Sequence, residues 1–232
     1  MEKNELVQRS PIRLFEQSTH GGLKAGEIGL IASPAGVGKT SVLVQLALDT
    51  LLQGKKVIHV SFTQHADYVI AWYEDIFNQF ISEKKLANAG DLKNDLVKNR
   101  VLMNFNQDGV SEEQILRSLR AMIVEGGFNA ESVIIDGFDF SRTSADRMAA
   151  VRAFAQELGL SFWYSCTING LHYDEANIPL VIKDFADCID LVIVLDPKPD
   201  YIELSVSKDR DSRDTRVLAM RLDPGTLLIS EK

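Results

Sequence analysis

The sequence predicts an α/β domain with a mostly parallel central sheet, helices on the faces of the sheet and a β-hairpin at the C-terminal end. Short apolar runs typical of buried strands alternate along the chain with longer stretches of helical periodicity. One apolar run leads through a glycine-bearing turn directly into a helix. Near the C-terminus Ile202, Leu204 and Val206 alternate with polar residues, as in a half-exposed strand, and residues 217–222 are its expected hairpin partner.

The whole chain, residues 1–232, is predicted to form a single domain, since 45% of its residues are apolar and neither an internal repeat nor a linker is visible. The formal net charge of −8 disfavours general attraction to nucleic acid or to an anionic membrane. The charged start of the chain does not resemble a signal peptide, and no apolar run approaches the roughly 20 residues that span a bilayer. Cys166 and Cys188 each lie in an apolar run, which fits two free thiols in a reducing compartment. We therefore expect a soluble, cytoplasmic protein.

The first half of the chain is predicted to alternate strands and helices. Residues 28–32 are an apolar strand, and the helix over 41–53 is apolar nearly all round, as expected for a helix covered on most sides. Residues 57–62 are a second buried strand. Helical spacing over 67–81 predicts an amphipathic helix whose aromatic residues are interpreted as core and not as a base-stacking platform. The polar stretch 82–99 is expected to be an excursion at the domain edge.

The second half continues the same pattern after a short strand over 100–105. Ser111 and Gln114 have the spacing of a capping box, which predicts the start of a helix that ends at Gly126-Gly127. An apolar strand over 132–136 finishes in a carboxylate, and a helix over 144–158 follows it. Residues 160–166 and 189–195 are two further buried strands before the hairpin.

The most specific motif stands between the first strand and its helix. It reads Ser33-Pro34-Ala35-Gly36-Val37-Gly38-Lys39-Thr40 and is followed by Ser41. Strand, glycine turn, Gly-Lys-Thr and helix are the context of a phosphate-binding P-loop. The glycines let successive N–H groups point at one anion, and the helix adds its positive N-terminal end.

This motif predicts a site for ATP or ADP with Mg²⁺, although the residues do not decide between ATP and GTP. Lys39 is placed to reach the β- and γ-phosphates, and the Thr40 hydroxyl is placed to ligate Mg²⁺. The usual first glycine is Ser33, which fits if its φ is not positive. A plain glycine turn before a buried helix is the alternative, but it would not require lysine followed by a hydroxyl residue.

A second motif of this kind ends at Asp136. Val133-Ile134-Ile135-Asp136 has the form of a Walker B element, a buried strand whose C-terminal end faces the P-loop. Asp136 is predicted to hold the magnesium, through water or together with Thr40. The pattern is weak alone, because any buried strand can end in aspartate, and it gains weight from the P-loop.

With these motifs the sequence resembles RecA-like ATPases, and among them the KaiC group and its DnaB and RadA relatives. Five segments follow the order of that family: the glycines at 21–26, the P-loop, Val60-Ser61-Phe62, the strand ending in Asp136, and Asp187-Cys188-Ile189-Asp190-Leu191. Ser207-Lys208-Asp209-Arg210 is similar to the Lys-x-Arg of the family's terminal hairpin. The resemblance spans roughly residues 10–230, and only the P-loop is specific by itself.

The resemblance implies a RecA-like P-loop NTPase core that assembles into rings or filaments, with a hexamer as one form of the homo-oligomer. Nucleotide then lies between neighbouring subunits, and Lys208 and Arg210 are implied to reach the γ-phosphate on the next subunit. The planar fork of an arginine suits phosphate oxygens. A solvated charged hairpin is the alternative, because Asp209, Asp211 and Asp214 crowd the same turn.

The sequence departs from the resemblance at the catalytic base. KaiC-like proteins follow the Val-Ser-Phe strand with paired glutamates, one of which activates water, whereas this chain has Thr63 and Gln64. Glutamine is not a base at neutral pH, although its amide can orient a water. His65 and Asp139 are the other candidate bases. Two polar residues that follow the next strand, Ser165 and Thr167, are either phosphate sensors or ordinary strand ends.

Three functions stay open at this point. The first is an ATP-binding switch in regulation or assembly, with slow hydrolysis and with catalytic positions at Lys39, Gln64, Asp136, Lys208 and Arg210. The second is a competent ATPase that remodels DNA or protein, and the third is a non-enzymatic scaffold that retains nucleotide for stability.

Overall fold

The computed structural model describes residues 7–8, 10–62, 65–84, 89–106, 108–168, 172–174 and 178–232. The strands of these residues are β1 (Ile28–Ser33), β2 (Val57–Ser61), β3 (Arg100–Asn104), β4 (Ser132–Asp136), β5 (Ser161–Thr167), β6 (Leu191–Pro197), β7 (Ile202–Asp209), β8 (Arg216–Leu222) and β9 (Ile229–Glu231). Their α-helices are α1 (Pro11–Ser18), α2 (Lys39–Leu52), α3 (Ala66–Lys84), α4 (Ala89–Lys98), α5 (Glu112–Arg120) and α6 (Ala145–Leu158). A 3₁₀ segment, Leu180–Cys188, precedes β6.

All these strands belong to one sheet in the order β3-β2-β4-β5-β1-β6-β7-β8-β9. The first six strands in this order, β3, β2, β4, β5, β1 and β6, are parallel to one another. The last strands run antiparallel, with β7 and β8 as the predicted hairpin and β9 as a further edge strand. The α/β class and the mostly parallel sheet with helices are therefore confirmed.

Two apolar cores lie on the two faces of the sheet. The first core joins α1, α2 and α3 to one face, and the second joins α5, α6 and the 3₁₀ segment to the other. Strand β1 serves both, because Leu30 points into the second core and Ile31 into the first. Beside them Gly29 leaves room for Trp163 of β5, since a β-carbon at Gly29 would lie 2.6 Å from the indole ring. Such continuous burial explains why the strands read as apolar runs.

Local signals in the sequence located several element ends correctly. The capping box is present, with Ser111 N–H donating to Gln114 Oε1 over 2.8 Å and Gln114 N–H donating to Ser111 Oγ over 3.3 Å. That helix continues through a π-helical turn, Ala121–Glu125, and ends before Gly126. Two helices were not predicted. The stretch 82–99 contains α4, and α1 precedes the first strand with Pro11 at its first position.

The helices in the described part of the chain are too short or too polar to cross a membrane.

Candidate functional site

The site lies where the C-terminal ends of β1, β4 and β5 meet at one edge of the sheet. Strands β1 and β5 are parallel neighbours, but β1 leads into α2 in the first core and β5 leads towards the 3₁₀ segment in the second. Connections that leave neighbouring strands towards opposite faces open a crevice, which is where ligands bind in open α/β sheets. A cavity of about 320 Å³ occupies this position. Its lining is Ala35, Gly36, Gly38, Lys39, Thr40, Trp72, Asp136, Gly137, Ser165, Thr167 and Leu227.

The loop between β1 and α2 has the conformation that its glycines were expected to allow. Gly36 has φ 78° and Gly38 has φ 111°, both in the left-handed region that favours glycine. Gly38 also lies against Leu222 of β8, because a β-carbon there would be 2.7 Å from Leu222 Cδ2. Ser33 closes β1 and is not among the residues with positive φ, so serine fits the position of the usual first glycine.

Lys39 is held inside this loop by groups of the loop itself. Its ammonium donates to Ser33 O over 3.1 Å, to Ser33 Oγ over 3.2 Å and to Pro34 O over 2.9 Å. Only 9% of Lys39 is exposed, and burial lowers the pKa of its side chain, while the nearby charge of Asp136 acts in the opposite direction. The ammonium is thus a fixed positive group at the floor of the cavity.

Thr40 and Asp136 meet at the same point. The Thr40 hydroxyl donates to Asp136 Oδ2 over 2.8 Å, and Asp136 is 4% exposed. A hydroxyl and a carboxylate are hard oxygen donors of the kind that Mg²⁺ prefers, and Mg²⁺ takes few protein ligands beside phosphate and water oxygens. The pair therefore fits the predicted magnesium position. Among the described residues, no group of three or more histidine, cysteine, aspartate or glutamate side chains could hold a metal ion. Magnesium beside Thr40 and Asp136 would therefore need phosphate and water oxygens as its other ligands.

Strand β5 supports the backbone that follows Asp136. Ser165, which is buried, accepts a hydrogen bond from Gly137 N–H through its hydroxyl oxygen over 2.8 Å. Thr167 is exposed at the end of the strand and lines the cavity. Ser165 thus has a structural contact of its own at the site.

Three cavity residues were not identified from the sequence: Trp72, Gly137 and Leu227. Gly137 directly follows Asp136. Trp72 lies on α3, where Tyr73 and Phe77 are core as expected, but Trp72 lines the cavity and Tyr68 is 64% exposed. Trp72 lies three residues after Val69 and four before Ile76 and packs against the first core, so its spacing did not separate it from the core aromatics. Leu227 comes from the turn between β8 and β9, far along the chain, and carries no local signal.

The residues considered as the catalytic base follow β2 and β4. Thr63 and Gln64 lie outside the described residues. His65 is exposed just before α3. Asp139 Oδ1 accepts hydrogen bonds from Ser141 N–H over 3.0 Å and from Ser141 Oγ over 2.7 Å. Asp139 lines a neighbouring cavity and not the cavity that contains Lys39.

Lys208 is not near the β1–α2 loop of its own chain. Strand β7 runs antiparallel to β6, so residues 208–210 lie at the opposite edge of the sheet. Lys208 is 4% exposed, and its ammonium donates to Ala186 O over 2.9 Å and to Ile189 O, at the end of the 3₁₀ segment. Lys208 thus caps backbone carbonyls at the end of the 3₁₀ segment of its own chain. Its implied role across a subunit boundary stays a prediction.

Arg210 is also used within the chain. Its guanidinium pairs with both carboxylate oxygens of Glu27, over 2.8 and 2.9 Å, and donates to Gly22 O over 2.7 Å and to Thr19 O over 3.3 Å. It also contacts Asp209 over 2.6 Å. Arg210 thus joins the Lys-x-Arg segment to the glycine segment at 21–26. Both segments belong to the resemblance to RecA-like ATPases. A role of Arg210 across a subunit boundary stays a prediction.

Comparison with protein-family models finds no match for this chain, and comparison with curated proteins finds none either. The interpretation of the site therefore depends on its geometry.

Proposed function

We propose that the chain is a RecA-like, KaiC-like protein that binds ATP with Mg²⁺ in the P-loop cavity. The observation that carries the proposal is the meeting of Thr40 and Asp136, 2.8 Å apart, beside the loop that holds Lys39. A glycine turn, a helix N-terminus, an ammonium and two hard oxygen donors together form a receptor for a polyphosphate and its metal.

The chemistry of each group follows from its contacts. Lys39 neutralises phosphate charge, and the N–H groups at the start of α2 donate to phosphate oxygens. Thr40 and Asp136 supply protein ligands for Mg²⁺, which neutralises phosphate charge when bound. Trp72 offers an aromatic wall for the nucleoside.

We further propose that hydrolysis is slow and that nucleotide serves as a regulatory or assembly switch. The support is chemical: Gln64 cannot accept a proton from water, and the positioned alternatives His65 and Asp139 do not line the P-loop cavity. Proton transfer by a positioned base contributes about 10²–10⁴-fold to a rate, so its loss slows chemistry without preventing binding.

The test is calorimetric titration of the protein with Mg-ATP, comparing wild type with Lys39→Ala. Loss of a buried ammonium among phosphate oxygens should weaken ATP binding by about 100-fold. Lys24→Ala, an exposed lysine at the opposite edge of the sheet, is the matched control and should bind like wild type. Equal Kd values for wild type and Lys39→Ala would refute the P-loop proposal.

A second readout uses the two tryptophans. Trp72 lines the cavity, whereas Trp163 is 5% exposed and packs against Phe15. ATP should change tryptophan emission in wild type, and Trp72→Phe should abolish that change while leaving the emission of Trp163.

A further inference from the structure

The turn between β8 and β9, residues 223–228, forms part of the wall of the P-loop cavity. Asp223 organises it, because its Oδ1 accepts hydrogen bonds from Gly225 N–H over 2.8 Å and from Thr226 N–H over 2.7 Å. Leu227 N–H donates to Asp223 O over 2.8 Å. The side chain of Leu227 then lines the cavity.

Leu227 has an unusual backbone for a residue with a branched side chain. Its φ is 57°, one of three positive values at non-glycine positions among the described residues. Such a conformation is unfavourable for a residue with a β-carbon and persists only where surrounding contacts hold it, often at ligand sites.

Gln45 of α2 provides the principal contacts. Its Nε2 donates to Leu227 O over 3.0 Å, and its Oε1 accepts from Ile229 N–H over 2.8 Å. The Ser41 hydroxyl donates to the same Leu227 carbonyl. The side-chain amide of Gln45 thus makes hydrogen bonds to the backbone on both sides of Leu228. Gln45 belongs to α2, the helix that follows the P-loop.

The two apolar walls of the cavity, Trp72 and Leu227, pack against the same core on one face of the sheet, but they come from elements near its two opposite edge strands. Trp72 belongs to α3, which packs near β3, while Leu227 comes from the β8–β9 end. We propose that Gln45 is a positioning residue that holds the β8–β9 turn as the second wall of the nucleoside half of the cavity. Gln45 thereby couples ATP binding to the conformational stability of the C-terminal strands β8 and β9. This inference rests on the proposed ATP site.

The test separates the nucleoside from the phosphates by titrating Mg-ATP and inorganic Mg-tripolyphosphate into the same proteins. Gln45→Met keeps length and helix propensity but removes both hydrogen bonds to the turn. It should weaken ATP binding about tenfold, the effect of one or two lost hydrogen bonds, and leave tripolyphosphate binding within about twofold. In wild type, ATP should also slow hydrogen exchange of the Leu227 and Ile229 amides, and Gln45→Met should lose that protection.

Two further variants keep the test decisive. Gln45→Glu retains an acceptor for Ile229 N–H but cannot donate to Leu227 O. It should therefore also weaken ATP binding more than tripolyphosphate binding, and it replaces Gln45→Met in the test if that variant folds poorly. Gln53→Met removes a side-chain amide at the other end of α2, where Gln53 donates to Asp49. This control should leave the binding of both ATP and tripolyphosphate unchanged.

The possible failures are distinguishable. Equal loss of ATP and tripolyphosphate, or no loss of either, would overturn the role of Gln45 while leaving the P-loop proposal intact. A wild type that binds neither ligand would overturn the proposed function, and this inference with it.

Discussion

The Thr40 hydroxyl donates to Asp136 Oδ2 over 2.8 Å, across 96 positions of the chain. The contact joins the first turn of α2 to the end of β4, although β5 lies between β4 and β1 in the sheet. It brings the two predicted metal ligands to one point beside Lys39, and it suggests the first test.

Asp136→Asn should abolish most of the magnesium dependence of ATP binding. Asparagine can still accept the Thr40 hydrogen bond, so the variant removes charge and leaves shape. Loss of a metal-supporting carboxylate typically costs about 10–100-fold in metal affinity. ATP titrations with magnesium and with a chelator measure the difference. Asp139→Asn, at a capping aspartate of the next turn, should preserve the wild-type magnesium dependence.

Gln64→Glu should raise kcat for ATP hydrolysis with little change in ATP affinity. The substitution is nearly isosteric and restores a proton acceptor, which contributes about 10²–10⁴-fold where it is positioned. Thr63→Glu is the control for the neighbouring position, since paired glutamates leave the register uncertain by one residue. Steady-state phosphate release measures both. An ordinary ATPase rate in wild type, unchanged by either substitution, would exclude a base at these positions.

Arg210→Ala should destabilise the chain even without nucleotide. Arg210 pairs with Glu27 and Asp209 and ties down the backbone of Gly22. The Arg210 side chain is 23% exposed, so we expect the free energy of unfolding to fall by about 2 kcal/mol, which is less than the full cost of breaking a buried ion pair. Urea unfolding measures this loss. Arg213→Ala, whose partner is 99% exposed, should stay within about 0.5 kcal/mol of wild type.

The same variant tests the role across subunits. If Arg210 acts on a neighbouring phosphate, mixing inactive Arg210→Ala with inactive Lys39→Ala should restore turnover. Stability loss without complementation would assign Arg210 to the fold alone.

Acid should destabilise the protein through His59. This residue is fully buried on β2, with Nδ1 3.0 Å from the Tyr73 hydroxyl, and burial lowers the pKa of His59 from 6.5 to about 4. The unfolded state therefore binds the proton first. The contribution of neutral His59 is complete above about pH 6.5 and falls towards pH 4, by up to about 3 kcal/mol.

Urea unfolding at several pH values between 7 and 4.5 measures this loss. His59→Gln should flatten the slope in that range, although it also lowers stability at pH 7. His65→Gln, at an exposed position, should keep the wild-type slope. An identical slope in wild type and His59→Gln would assign the acid sensitivity to other groups.

Much of the fold could be predicted because its signals are local. The strands over 28–33 and 132–136 are buried on both faces, so each reads as an apolar run wherever it lies in the sheet. The Ser111 capping box involves residues three apart. Helix α4 was missed because its stretch is polar and Leu96 is one of few apolar residues that it buries.

The sequence by itself determined the glycine loop of the candidate site, because a glycine turn between strand and helix sets its own backbone and places Lys39 and Thr40 directly. Only the tertiary structure decided what surrounds it. Trp72, Leu227 and Gln45 reach the cavity region through chain packing and hydrogen bonds that no local pattern encodes. The direction of β7 carries Lys208 and Arg210 to the opposite edge of the sheet, where buried carbonyls and carboxylates engage them. Strand direction is a property of the assembled sheet, so the same Lys-x-Arg letters could not show which edge they would occupy.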